Sequence, residues 1–410
     1  MHGRVAAPAP DRASVSTSVD GSVVAARNAV ALVFVLNGFV FASWMARLPA
    51  VRDALGLSPA ELGLLLLAIS VGSLTGLPTA GALCDRFGPA RVVAVAAFVV
   101  AVAQASAAAG AGSGAVVATA VPLAFMGFGV GVWDVAMNLH GARVEQLLGR
   151  TVMPRFHAGF SVGTVAGAGV GAGAAALDLD LLLHLGATSA VGLVGALLAV
   201  RRFLPVAAEA GPADAVDEAR DRRATTAWLE PRTLLIGLMV LALAFTEGTA
   251  NDWLAVALVD GYDVPDWAGA LGFGAFVTAM TLGRLVGPPL LDRHGRVTVL
   301  WSTMAVAFVG VVLTVLAPAP WLAVVGILLW GLGASLGFPV GMSAAADDPR
   351  RAAARVSVVS TIGYTAFLAG PPLVGFVGEK SGTLQALLVV AVLLVPSALV
   401  VPAAREPRRV

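Results

Sequence analysis

The sequence predicts an all-α membrane protein with twelve transmembrane helices arranged as two parallel six-helix repeats. Three observations carry that expectation: a composition too apolar for a soluble domain, twelve apolar runs long enough to cross a bilayer, and a charged turn that occurs twice at matching places. Of 410 residues, 58% are hydrophobic and only 12% charged, against roughly 25% charged in a soluble globular protein. The 47 glycines suit helices that approach one another through small residues. The single cysteine, Cys84, excludes an internal disulfide framework and a multi-cysteine metal site. A net charge of +1 gives no bulk attraction to nucleic acid, so no such partner is expected.

Residues 1–26 hold prolines, serines and a few charges without an apolar core, and read as a disordered cytoplasmic tail. A spanning helix needs about 20 mostly apolar residues. Runs of that kind fall at about 27–49, 60–82, 92–110, 114–140, 153–177 and 180–200 in the first half. The second half gives about 232–258, 267–291, 296–317, 320–345, 353–377 and 382–402. Residues 27–200 and 232–402 are therefore expected as two six-helix bundles. The mixed-charge interval 201–231 is expected as a cytoplasmic linker and 403–410 as a second tail.

Basic residues set the expected orientation, because cytoplasmic loops collect Lys and Arg. With the N-terminus inside, Arg86, Arg91, Arg143, Arg150, Arg155, Arg293, Arg296, Arg351 and Arg355 fall inside, leaving Arg47, Arg52 and Lys380 outside. Both termini come out cytoplasmic.

The duplicated turn supports the repeat. Residues 81–91 read G-A-L-C-D-R-F-G-P-A-R, and residues 287–296 read G-P-P-L-L-D-R-H-G-R. At offsets near 205 to 210 Trp44 meets Trp253, Pro59 meets Pro265, and Asp85 meets Asp292. Parallel six-helix repeats are a known transporter plan, with the substrate site near the midplane between the halves.

The turn between the second and third helices resembles the G-x-L-x-D-R-x-G-R motif of the major facilitator superfamily, through Gly81, Leu83, Asp85, Arg86, Gly88 and Arg91. Pro89 departs from it, standing where a basic residue is common. The resemblance covers about residues 27–402. Within the superfamily the segments N-G-F-V-F-A-S-W-M-A-R-L-P at 37–49 and F-H-A-G-F-S-V-G at 156–163 look most like a branch of uncharacterised bacterial permeases. It implies the fold, a small-molecule substrate, no cofactor, and a cytoplasmic latch built on Asp85, Arg86 and Arg91 and, in the second half, on Asp292, Arg293 and Arg296. Drug antiporters of the superfamily carry an arginine on helix four and Gly-Pro on helix five. Leu123 and Gly167-Ala168 stand there instead, which disfavours antiport.

Acids at membrane depth are the remaining candidates, since burying one costs roughly 2.5 to 3.5 kcal/mol on insertion scales. Glu247 falls mid-helix with Asn251 one turn on. It is expected as a proton carrier or a substrate ligand, the plainer reading being a bond to a neighbouring Ser or Thr. Asp134 and Asn138 share a face of the fourth helix with Glu145, and an Asp134 and His157 pair is expected to line the inner cavity. Arg47 and Asp252 are expected as an outer gate, with snorkelling of Arg47 into the headgroups as the alternative. Asn37, Trp44 and Tyr364 complete the cavity candidates, Trp44 competing with an interfacial-belt role.

Neither H-E-x-x-H, G-x-S-x-G nor a phosphate loop is present, so metallohydrolysis, serine chemistry and ATP-driven pumping find no support. The expected function is secondary transport of a small polar solute such as a sugar, driven by a substrate or proton gradient, in a bacterial inner-membrane monomer. Drug efflux and a non-transporting sensor on the same fold are the alternatives.

Overall fold

The structure is a computed structural model describing residues 21–150, 152–205, 227–348 and 351–406. Most of the expected N-terminal tail, the centre of the linker and the last four residues lie outside the described residues. Within them the chain is helical, with no strand, and twelve segments are long and apolar enough to cross a membrane. They run Gly21–Met45, Pro59–Phe87, Pro89–Gly112, Val116–Leu148, Met153–Ala176 and Leu181–Val200, then Pro231–Tyr262, Asp266–His294, Arg296–Leu316, Pro320–Ala345, Ala354–Ser381 and Thr383–Ala404.

Local chemistry explains where the spans begin and end. Ser58 caps the second span through a reciprocal capping box with Glu61, and Pro59 takes the first turn, where its missing N–H costs nothing. The two charged turns end their helices alike. Gly88 and Gly295 sit at φ 79° and 75°, in the left-handed region that glycine adopts without strain, and each donates its N–H back to the preceding helix. The motif repeats in sequence because this backbone repeats. Glu145 accepts from the N–H groups of Val152 (2.6 Å) and Met153 (2.7 Å), capping the start of the fifth span.

Four details differ from the sequence expectation. The first span begins at Gly21, inside the expected tail. It ends at Met45, where a short helix, Leu48–Leu55, turns back towards the bundle and buries Leu48 and Val51. The tenth span is broken into Pro320–Ala334 and Gly337–Ala345, because Gly331, Gly333 and Gly337 weaken the helix around Ser335. At the C-terminus, Val401–Ala404 forms a 3-10 turn, and Arg232 binds the carbonyls of Ala403 and Arg405.

Within each half, glycines bring backbones together. A Cβ on Gly72 would lie 1.9 Å from the Ala124 carbonyl oxygen, and one on Gly163 2.0 Å from that of Val35. The seventh span is the most enclosed, with 72% of its apolar window buried, while the sixth turns Leu183, Val191 and Val194 outward.

The halves meet through the second span against the eleventh and the fifth against the eighth. These contacts lie on the side away from the chain ends. Gly63 packs on the carbonyl of Pro371 and Gly375 on that of Pro59, the Ser70 hydroxyl donates to the Phe367 carbonyl (2.7 Å), and Ala60 N–H donates to Glu379 (3.2 Å). Arg52 of the short helix pairs with Asp260 at the end of the seventh span, and Asp260 also accepts from Thr383 (2.7 Å). Burial alone would lower the Arg52 pKa, but its bonds to Asp260 and Asp53 raise it. On the side of the chain ends the halves diverge around an open cavity.

Candidate functional site

The cavity has a volume of about 1600 Å³. Its walls come from the chain-end half of the fifth span (Pro154, His157, Ser161), of the eighth (Thr281, Arg284, Pro288, Asp292) and of the broken tenth (Phe338, Val340, Ser343). Asp347, Arg296 and Glu406 stand at its mouth.

Arg284 organises the deep end. Its guanidinium donates to both carboxylate oxygens of Glu247, at 3.0 and 3.1 Å, and through Nε to the Ser335 carbonyl at 3.3 Å. The break in the tenth span leaves that carbonyl without its full helical ladder, and a membrane-depth carbonyl needs a donor. The three elements thus satisfy one another: the helix break presents an acceptor, Glu247 supplies a counter-charge, and Arg284 serves both while keeping 31% of its side chain exposed to the cavity. Broken helices are where transporters place substrate-binding groups.

This corrects the plainer reading of Glu247 as a partner of a neighbouring Ser or Thr. Its partner is an arginine one helix away, a two-point charge-assisted pair. Arg284 was missed although the signal was in the sequence, an arginine inside the apolar run 267–291.

Other expectations fare variously. His157 lines the cavity but meets Phe34 edge-on (centroids 5.2 Å), while Asp134 bonds Asn138 on its own helix, so the Asp134–His157 pair is not formed. The pair fails because the fifth span turns His157 towards the first span instead. Asp134 lies within electrostatic range of Tyr364, which continues an aromatic row from Phe338 to Phe367 on the opposite half. Asn37 is buried with its amide against the Met137 sulfur, and Asn251 is half-buried on the seventh span.

The expected Arg47–Asp252 gate is also not formed. Arg47 is 5% exposed and donates to the Leu179 carbonyl at 2.8 Å within its own half, which excludes snorkelling too. Burial lowers its pKa, opposed by the fields of Asp266, Asp180 and Asp178. Asp252 forms no ion pair among the described residues, and the contact between halves falls to Arg52 and Asp260, beyond the turn that follows Met45. Trp44 and Trp253 are wholly buried core residues, neither belt nor cavity wall.

Of the latch residues, Asp85, Arg86, Arg91, Asp292 and Arg293 are exposed and form no ion pair among the described residues. Arg296 is engaged, with Asp347 (2.6 Å), Ser343 and Glu406. Asp347 also binds Arg232 (2.7 Å), and Glu230 binds Arg351 and Arg355, both at 2.6 Å. Burial pushes the Glu230 carboxyl up, but its bonds to Arg355 and Thr233 and the charges of Arg355 and Arg351 outweigh this and hold its pKa below the usual value.

Comparison with known proteins agrees with this architecture. An uncharacterized MFS-type transporter of Yersinia pestis is 30% identical over 366 residues, covering 88% of this chain and 91% of that protein. A nucleoside transporter, NupG, superposes with a TM-score of 0.76 at 15% identity, over 92% of this chain and 98% of that one. A D-xylose-proton symporter gives 0.66 at 14% identity, over 91% and 97%. At those identities the two structures speak for the fold alone. The profile of the Major Facilitator Superfamily matches residues 30–354 and 267–410. Twelve apolar spans, a repeated glycine-ended turn, a cavity between the halves and a family profile along nearly the whole chain lead to one conclusion: this multi-pass membrane protein belongs to the Major Facilitator Superfamily of transporters.

Proposed function

We propose that the protein is a secondary active transporter of a small polar solute, a sugar or related metabolite, and that the arrangement described is its inward-open state. The observation that carries this reading is the cavity between the halves, whose wall sets His157, Ser161, Thr281 and Ser343 among apolar side chains, with a cationic group fixed at its deep end by Glu247 and the Ser335 carbonyl. The arginine distribution supports a cytoplasmic location for the chain-end side. Residues 27–200 and 232–402 then rock as two bodies, releasing Arg52 from Asp260 on the outer side while the Asp85 and Asp292 turns engage on the inner side. Arg284 and His157 contact the solute from opposite halves. Glu247 orients Arg284, and its protonation would free the guanidinium, a route to proton coupling. We infer a hydroxylated substrate from the hydrogen-bonding groups of the wall, His157, Ser161, Thr281, Arg284 and Ser343; a nucleoside and D-xylose, named for two proteins of the same fold, are solutes of that kind.

The test is uptake in proteoliposomes of labelled sugars, nucleosides and organic acids, with and without an acid-outside gradient. Accumulation of one polar class, lost in Arg284→Gln, is expected. Flux of hydrophobic drugs alone would assign an efflux role, and saturable binding without flux a sensor; either result overturns the reading.

A further inference from the structure

A second concavity lies outside the transport cavity, on the outer surface of the first half near the chain-end side. Its volume is about 380 Å³. The second span contributes Leu83 and Phe87, the third Val92 and Val95, and the fourth Phe128. Its floor includes Gly129, where a Cβ would lie 2.7 Å from Val100 and 3.3 Å from the Ala96 carbonyl, so the third and fourth spans meet there through bare backbone. The mouth is open, with Phe87 46% and Val95 62% exposed.

Charge is confined to one end. Among the described residues Arg91 is the only charged side chain of the wall, and Arg86 lies over the Phe87 ring at 5.4 Å, at the same rim. Neither guanidinium has an ion-pair partner among the described residues. The turn's one acid, Asp85, leaves the rim net positive. An apolar trough with a basic rim at the end of membrane-spanning helices complements a molecule with a long hydrocarbon tail and an anionic head.

We propose that this groove binds an anionic phospholipid, one acyl chain lying along Leu83, Val92 and Phe128 and the phosphate held by Arg86 and Arg91. The site is separate from the transport cavity and does not depend on which solute is carried. Because the same two arginines belong to the charged turn, a bound lipid competes with any contact that turn makes to the other half, and so favours the separated arrangement seen here.

The experiment is native mass spectrometry of the full chain in mild detergent, with equimolar phosphatidylglycerol and phosphatidylcholine added. Retained phosphatidylglycerol should exceed phosphatidylcholine by about thirtyfold, the scale set by two basic side chains at a membrane surface. Arg86→Gln with Arg91→Gln should reduce that ratio to about one. Val95→Trp, at an exposed position where folding is not at stake, should lower the total of retained lipid by filling the mouth. Equal retention of both lipids by the unmodified chain, or a double variant with unchanged preference, would leave only annular lipid and overturn the proposal, as would unaltered retention in Val95→Trp.

Discussion

Glu247→Gln tests the most consequential contact in the cavity. The carboxylate meets Arg284 at 3.0 and 3.1 Å, and the side chains are 19% and 31% exposed. Two unit charges about 4 Å apart interact by about 4 kcal/mol at an effective dielectric of about 20. Desolvation and the water in the open cavity offset part of this, placing the pair between the ~0–1 kcal/mol of an exposed bridge and the ~3–5 kcal/mol lost when one partner of a buried pair is removed. A loss of about 2 kcal/mol is the reasonable centre. At about 2–4 °C per kcal/mol for a unit of about 150–250 residues, the second half should unfold roughly 4–8 °C earlier. The assay is a double-mutant cycle by thermal unfolding in detergent with Glu247→Gln, Arg284→Gln and the combination. Since Arg284→Gln also strips the Ser335 carbonyl of its donor, it should be the worse single change, and the combination little worse than it alone. Single effects that add to within about 0.5 kcal/mol would mean the pair is not coupled and would refute this account of the site.

Four further outcomes follow from the same geometry. Asp260→Asn removes the outer contact to Arg52; a partly exposed pair is worth about 1 kcal/mol, so the outward-open population should rise about fivefold, read as a longer distance between spin labels at positions 61 and 380, and an unchanged distribution would contradict it. Asp85→Asn should leave thermal stability in the present arrangement unaltered, because Asp85 forms no ion pair among the described residues, yet suppress the outward-open state; normal transport with normal access would remove its latch role. Gly72→Ala, whose Cβ would meet the Ala124 carbonyl at 1.9 Å within one half, should impair folding. Gly63→Ala, at 2.6 Å from Pro371 across the halves, should instead shift access outward with little loss of folded yield, and equal folding defects would argue against the distinction. Glu230 has a depressed pKa, so its contribution is present above its unfolded value of about 4.3 and disappears as pH falls through the lower folded value; Glu230→Gln should remove that acid-range component from the pH dependence of unfolding, and an identical profile would exclude it.

The twelve spans, the repeat and the charged turns were legible because a bilayer imposes length and polarity on each helix separately, and glycine at a positive-φ helix end is a local requirement that Gly88 and Gly295 meet alike. Partnerships were not legible. Glu247 was visible as an acid out of place, and Arg284 equally so as a base, but only the helix break at Ser335 and the rotation of the eighth span bring them together. Arg47 and Asp252 suggested a gate because the first and seventh helices face each other in the resembled fold. A two-residue turn after Met45, however, hands the inter-half contact to Arg52 and Asp260 and buries Arg47 against Leu179. The sequence by itself determined which segments cross the membrane, since that follows from each segment's own transfer free energy. Tertiary structure alone decided which polar groups answer one another, because the direction a side chain takes from a helix depends on how that helix is rotated and broken against its neighbours.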